Sequence, residues 1–149
     1  MENENKKINH IAIAVPDVKE AALQWQQALN IKKSEIIILE EHGVKVVFLE
    51  FSNLKIELLE PLNNKSPISK FLEKNPKGGM HHICFEVEKI TETINSLKNK
   101  NINILGDGNP KIGAHDKPVV FLHPNDLSGT LFISCGYNFY NWGSGNFFK

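Results

Sequence analysis

Arginine is absent: all 17 basic residues are lysines. A phosphate or carboxylate must therefore be met by lysine, by backbone N–H groups or by a metal, never by a bidentate guanidinium fork. Cysteine is scarce. Cys84 and Cys135 are the only two in 149 residues, which excludes a disulfide framework and predicts reduced thiols in a cytoplasmic protein. Net charge is also missing, because 17 acidic residues balance the lysines, and this argues against an electrostatic nucleic-acid binder. No apolar run approaches the roughly 20 residues of a membrane span. The polar segment 1–7 has neither the apolar stretch of a secretory signal nor the arginines of a transit peptide, so no leader is expected. Glutamate stops at Glu92, so no later position can offer that side chain.

What is present is a globular chain, 41% hydrophobic and long enough for one ordinary domain. Segment 9–15 reads as a strand, ended by Pro16-Asp17. Asp17 with Glu20 forms a capping-box-like start for a helix carrying Val18, Ala22, Trp25 and Leu29 on one face. Strands are expected over 34–40, 44–51 and 54–60, with turns at 41–43 and 52–53. Ser66-Pro67 starts a short helix with Ile68, Phe71 and Leu72 as its buried face. The order then repeats: strand 80–87, a helix marked by Ile90, Ile94 and Leu97, then strands 102–105, 117–123 and 130–135, with a loop over 106–116.

The two halves match in detail. His10-Ile11-Ala12-Ile13-Ala14-Val15 parallels His82-Ile83-Cys84-Phe85-Glu86-Val87, and Val46-Val47-Phe48-Leu49 parallels Val119-Val120-Phe121-Leu122. This predicts an α+β fold of two tandem βαβββ modules, 8–60 and 80–135, within one domain 1–135, whose curved mixed sheet encloses a groove. The tail 136–149 shows no period and is expected to be loosely ordered or packed on a neighbour.

Strand alternation assigns the faces. His10, Ala12 and Ala14 share one face of the first strand. His82, Cys84 and Glu86 share the corresponding face in the second half, with His81, Ile83, Phe85 and Val87 opposite. Lys55, Glu57 and Leu59 face the same groove. Two imidazoles and a carboxylate on facing strands suit a divalent metal such as Zn, Co, Mn or Ni, so His10, Glu57 and His82 are the candidate ligands.

Several stretches together resemble the methylmalonyl-CoA epimerases of the glyoxalase, or vicinal-oxygen-chelate, superfamily. They are the 10–15 strand, 43–49, Glu57-Leu58-Leu59-Glu60-Pro61-Leu62, Ser66-Pro67-Ile68 with Lys70-Phe71-Leu72, Gly78-Gly79-Met80-His81-His82-Ile83-Cys84, Gly113-Ala114-His115, and Lys117-Pro118-Val119-Val120-Phe121-Leu122-His123-Pro124. They spread over nearly all of 8–132. The resemblance implies an isomerase that epimerises methylmalonyl-CoA at C2, by α-proton transfer through a metal-stabilised enolate, in a homodimer that takes an acyl-CoA substrate. A metal–ligand set of His10, Glu57 and His82 follows from it. His115 and Lys117 fall on a loop bordering the family's site and are candidate substrate-binding residues.

The family's fourth ligand, a glutamate on the last strand, aligns with Ile133, and a second glutamate found in some members aligns with Val46. A one-residue bulge in 130–135 would turn Ser134 into the groove instead. Glu50 shares strand parity with Val46 and is the first candidate base, with His115 and His123 behind it. The competing functions are a non-catalytic protein that binds metal or a small acid, and a glyoxalase-type isomerase of glutathione adducts.

Overall fold

The computed structural model describes residues 6–136; the expected tail lies outside them apart from Gly136. β1 (Lys7–Ala14) leads through Asp17 into α1 (Val18–Leu29), followed by β2 (Ile37–Leu39), β3 (Val44–Glu50) and β4 (Lys55–Pro61). After the linking helix α2 (Pro67–Lys74) come β5 (Gly79–Val87), α3 (Ile90–Asn99), β6 (Lys111–Ile112), β7 (Pro118–Leu122) and β8 (Leu131–Gly136). The strands form one eight-stranded sheet in the order β2-β3-β4-β1-β5-β8-β7-β6, which reads alike from either end. Two copies of a βαβββ module thus join along the antiparallel seam of β1 and β5. Each first strand lies parallel to its module's last strand, β1 to β4 and β5 to β8.

Local chemistry sets the element ends. The Asp17 carboxylate accepts from the Glu20 N–H at 2.9 Å, and Asn30 closes α1 in the left-handed region. Glu60, at the end of β4, accepts from the Val18 N–H at 2.9 Å and from Lys45 Nζ at 2.9 Å, which ties the helix start to the sheet. Ser66 caps α2, with Pro67 in its first turn. Gly78 takes φ +92°, and a Cβ there would meet the Ala14 carbonyl oxygen at 2.5 Å, so only glycine fits where the chain enters β5.

Alternation divides the core as expected. On the outer face Val15, Val47, Leu49, Ile56 and Leu58 pack against Val18, Ala21 and Ala22 of α1. Val120 and Leu122 pack with Ile94 of α3 in the second module. On the groove face Ala12, Ala14, Val46, Phe48 and Leu59 pack with Ile68 of α2, and Cys84, Val119, Ile133 and Cys135 form the second module's floor. Leu29, expected on the buried face of α1, sits at its last position and is exposed.

The edge strands differ from expectation. The expected strand 102–105 makes only a bridge, Ile104 to Leu122, while β6 lies inside the expected loop 106–116. The edge is one strand broken in two: Asn103 and Leu105 bond the far end of β7, Lys111 and Ile112 its near end, and Gly106 and Gly108 at positive φ turn the chain out between them. The first module repeats this break, with Lys33 bridging Leu49 before β2 begins. No described helix is long and apolar enough to cross a membrane.

Candidate metal centre and substrate groove

The concave face holds a cavity of about 650 Å³, a size that suits a small-molecule ligand. His10 of β1, Glu57 of β4 and His82 of β5 meet at its base on three neighbouring strands. Strand pairing places Glu57 and His82 level with each other on either side of Ala12, with His10 two residues along β1 on the same face. His10 Nε2 lies 3.2 Å from Glu57 Oε2 and 3.3 Å from His82 Nε2, and His82 Nε2 lies 3.5 Å from Glu57 Oε2. One donor atom from each falls within 4.8 Å of the others, and this is the only such group among the described residues. None of the three side chains exceeds about a tenth exposure.

The surrounding bonds say which atoms are free to donate. Asn9 Nδ2 gives its hydrogen to Glu86 Oε1 at 2.6 Å, so Asn9 Oδ1 is the atom facing His10 Nδ1 at 2.7 Å. An amide oxygen can only accept, so His10 carries its proton on Nδ1 and turns the Nε2 lone pair inward. His82 Nδ1 lies 2.9 Å from His81 Nδ1 and likewise directs Nε2 at the group. The Nε2 atoms of both histidines and a carboxylate thus converge on one point, an arrangement that can hold a divalent cation. Burial alone would raise the Glu57 pKa, but the two neighbouring imidazoles outweigh it and hold the carboxyl at about 2. Burial also lowers His82, against the opposing pull of Glu57.

One expected side chain lies on the other face. Alternation places His81 opposite His82, yet it lines the cavity. Pairing between β1 and β5 skips from Ala12–His82 to Ile13–Met80, so His81 is the extra residue of a β-bulge, and a bulge re-aims its side chain. A second skip, from Ile8–Phe85 to His10–Cys84, makes Asn9 the extra residue in β1 and brings it to the cavity too. Alternation could not foresee either bulge. The signal that was present is the pair of dipeptides Asn9-His10 and His81-His82 at equivalent places in the repeat.

Lys55, Glu57 and Leu59 line the cavity, as their parity requires. Lys55 Nζ stands 5.6 Å from the centre of the Phe48 ring. The His115 ring stacks on the same phenyl at 4.9 Å, and Phe48 in turn meets His10 edge-on at 6.0 Å. His115 and Asp116 both occupy the left-handed region, φ 57° and 55°, in a turn closed by the Gly113 N–H to the Lys117 carbonyl at 2.8 Å. Burial, then the positive charges of Lys55 and Lys117, lower the His115 pKa. Lys117 also lines the cavity. His42, in the short 3-10 turn before β3, contacts the Ile112 carbonyl and so links the two modules near the mouth.

Glu50 is exposed at the end of β3, cross-strand from Lys55, and is not part of the cavity wall. His123 is also outside it; its Nδ1 accepts from the Asn125 N–H at 3.1 Å. Val46 is buried in the groove-face cluster beneath the cavity. Ile133 lines the cavity beside Cys135. β8 runs in unbroken register with both β5 and β7, so the bulge that would have turned Ser134 inward is absent. Ser134 instead is fully buried, with a hydroxyl that has no partner. Continuous pairing on both sides leaves β8 no room for an extra residue.

The sheet topology and the groove define a class. Residues 9–121 match the Glyoxalase/Bleomycin resistance protein/Dioxygenase superfamily, and the chain belongs to it. Within that superfamily it is a member of the methylmalonyl-CoA epimerase family. It is 52% identical over 125 residues to the ethylmalonyl-CoA/methylmalonyl-CoA epimerase of Cereibacter sphaeroides, covering 84% of this chain and 93% of that protein. It is equally 52% identical over 125 residues to the mitochondrial methylmalonyl-CoA epimerase of Homo sapiens, covering 84% and 70%. The Streptomyces coelicolor methylmalonyl-CoA epimerase, solved with 2-nitronate-propionyl-CoA, superposes with a TM-score of 0.80 at 28% identity, over 87% of this chain and 96% of that one.

Proposed function

We propose that this chain is an isomerase that inverts C2 of methylmalonyl-CoA, with a divalent cation held by His10, Glu57 and His82. The observation that carries the proposal is the convergence of two imidazole nitrogens and a carboxylate at the base of an open groove, in a chain half identical to named epimerases. The proton alpha to a thioester is weakly acidic, and a bound cation supplies Lewis-acid stabilisation of the charge that develops on the oxygens when it leaves. Lys55 and Lys117 offer the groove its positive charge for an anionic substrate, in place of the missing arginines. We further propose that the chain acts in the cytoplasm as a homodimer.

Inversion needs a proton delivered to the opposite face of C2, and before that a base that removes the original one. His115 is assigned this role ahead of Glu50, because His115 lines the groove and Glu50 does not. Burial and the flanking lysines keep its imidazole uncharged at neutral pH, so a lone pair is available.

The test is deuterium exchange at C2 of methylmalonyl-CoA by the metal-reconstituted protein. His115→Ala is expected to slow exchange by roughly 10²–10⁴-fold, and Glu50→Gln to leave it nearly unchanged. The acid limb of the rate profile should lie below the free imidazole pKa of about 6.5. The reverse pattern of variants would move the base to Glu50. Metal-loaded wild type that exchanges no proton would mark a non-catalytic binder of metal or a small acid, the outcome that Ile133 favours if a glutamate there is needed.

A further inference from the structure

Two β-bulges stand at equivalent places in the two modules. Each inserts one residue directly before a histidine: Asn9 before His10, His81 before His82. The two inserted residues are as far apart in sequence as the two histidines, which are separated by 72. A regular strand would point each inserted side chain to the helix-packed face. The bulge turns it to the groove, where it reaches the Nδ1 atom of the histidine that follows, at 2.7 Å for Asn9 and 2.9 Å for His81.

From this geometry we infer that Asn9 and His81 are paired positioning residues that fix the Nε2 atoms of His10 and His82 as electron-pair donors. The inference rests on the metal reading above. In the first module the Asn9 amide is itself oriented, because its NH₂ donates to Glu86 at 2.6 Å. That leaves the oxygen for His10 Nδ1–H, and no other tautomer of His10 satisfies the bond. In the second module the Nδ1 atoms of His82 and His81 lie 2.9 Å apart, a contact in which one ring donates; the inference gives that proton to His82, and the His81 ring is held edge-on by Phe71 of α2 at 5.2 Å. The two arms therefore differ: a carboxylate and an amide stand behind His10, an imidazole and a phenyl ring behind His82. In both, a neutral acceptor on Nδ1 makes Nε2 the better donor and fixes the ring plane.

The experiment is titration of the metal-free, full-length protein with Co²⁺, followed by calorimetry and by the visible absorption of the bound ion, with metal-free circular dichroism to confirm folding. His10→Ala, a ligand variant, controls for the underlying reading and should abolish the site. Asn9→Ala and His81→Ala are each expected to weaken Co²⁺ about 10–100-fold and to alter the spectrum. Glu86→Gln should weaken it less. His81→Asn supplies an amide acceptor like that of the other module, and should restore affinity to within a few-fold of wild type. Should Asn9→Ala fail to fold, the contrast of His81→Ala with His81→Asn decides alone. Wild type without a Co²⁺ site, or His10→Ala binding as wild type does, removes the metal reading. Loss in His10→Ala with unchanged affinity in Asn9→Ala and His81→Ala, or a His81→Asn as weak as His81→Ala, overturns the positioning role while leaving the metal reading intact.

Discussion

At the scale of single residues, the proposed reaction turns on what Ile133 offers the groove. It lines the cavity and pairs with Cys84 across β5 and with Phe121 across β7. An isoleucine offers the groove no charge, no donor atom and no proton. Replacing it with glutamate adds a carboxylate to a wall that also carries Cys135 and Val119, in the same groove as His10, Glu57 and His82. Ile133→Glu is therefore expected to tighten Co²⁺ binding and raise C2 exchange in the assay above. Unchanged binding would place the 133 side chain out of reach of the His10–Glu57–His82 group. The candidate ligands were legible in the sequence, since alternation and the internal repeat bring His10, Glu57 and His82 to one face. Asn9 and His81 were not, because a bulge depends on the register between two strands far apart in the chain, and alternation within one strand carries no record of it.

At the scale of elements, the joint between α2 and β5 decides whether the second histidine arrives in place. Gly78 sits against the backbone of Ala14, at the end of β1, and β5 begins at the next residue. Gly78→Ala would force a Cβ to 2.5 Å from the Ala14 oxygen at a φ that disfavours any side chain. The cost is on the order of 1–3 kcal/mol for the conformation alone, and relief of the clash must push β5 away from β1 at the end nearest His82. The expected outcome is a lower Tm together with weakened metal binding. A lowered Tm with full metal affinity would show that the seam absorbs the shift before it reaches the site. Helix starts were well marked in the sequence by Asp17 and by Ser66-Pro67, because capping is local chemistry. The edge strands were misplaced for the opposite reason: where a strand breaks and resumes is settled by its neighbour, β3 or β7, and by glycines that read as an ordinary loop.

At the scale of the whole molecule, the open sheet presents two short edges, β2 and β6, and Ile36 and Ile38 lie exposed beside and within the first of them. Edges that no other described strand covers invite pairing with another chain. Sedimentation at micromolar concentration is expected to give the mass of a dimer, and a monomer alone would contradict the proposed assembly. The α+β class and the two-module plan were legible because each module repeats the same pattern of faces.

The seam between β1 and β5 has a consequence of another kind. Of the converging side chains, His10 and Glu57 belong to the first module and His82 to the second. Neither copy of the repeat holds the set by itself, although each carries the same histidine in the same strand. A duplication usually leaves a spare, free to drift or be discarded. Here the two copies have become halves of one object, and neither module alone brings the three side chains together.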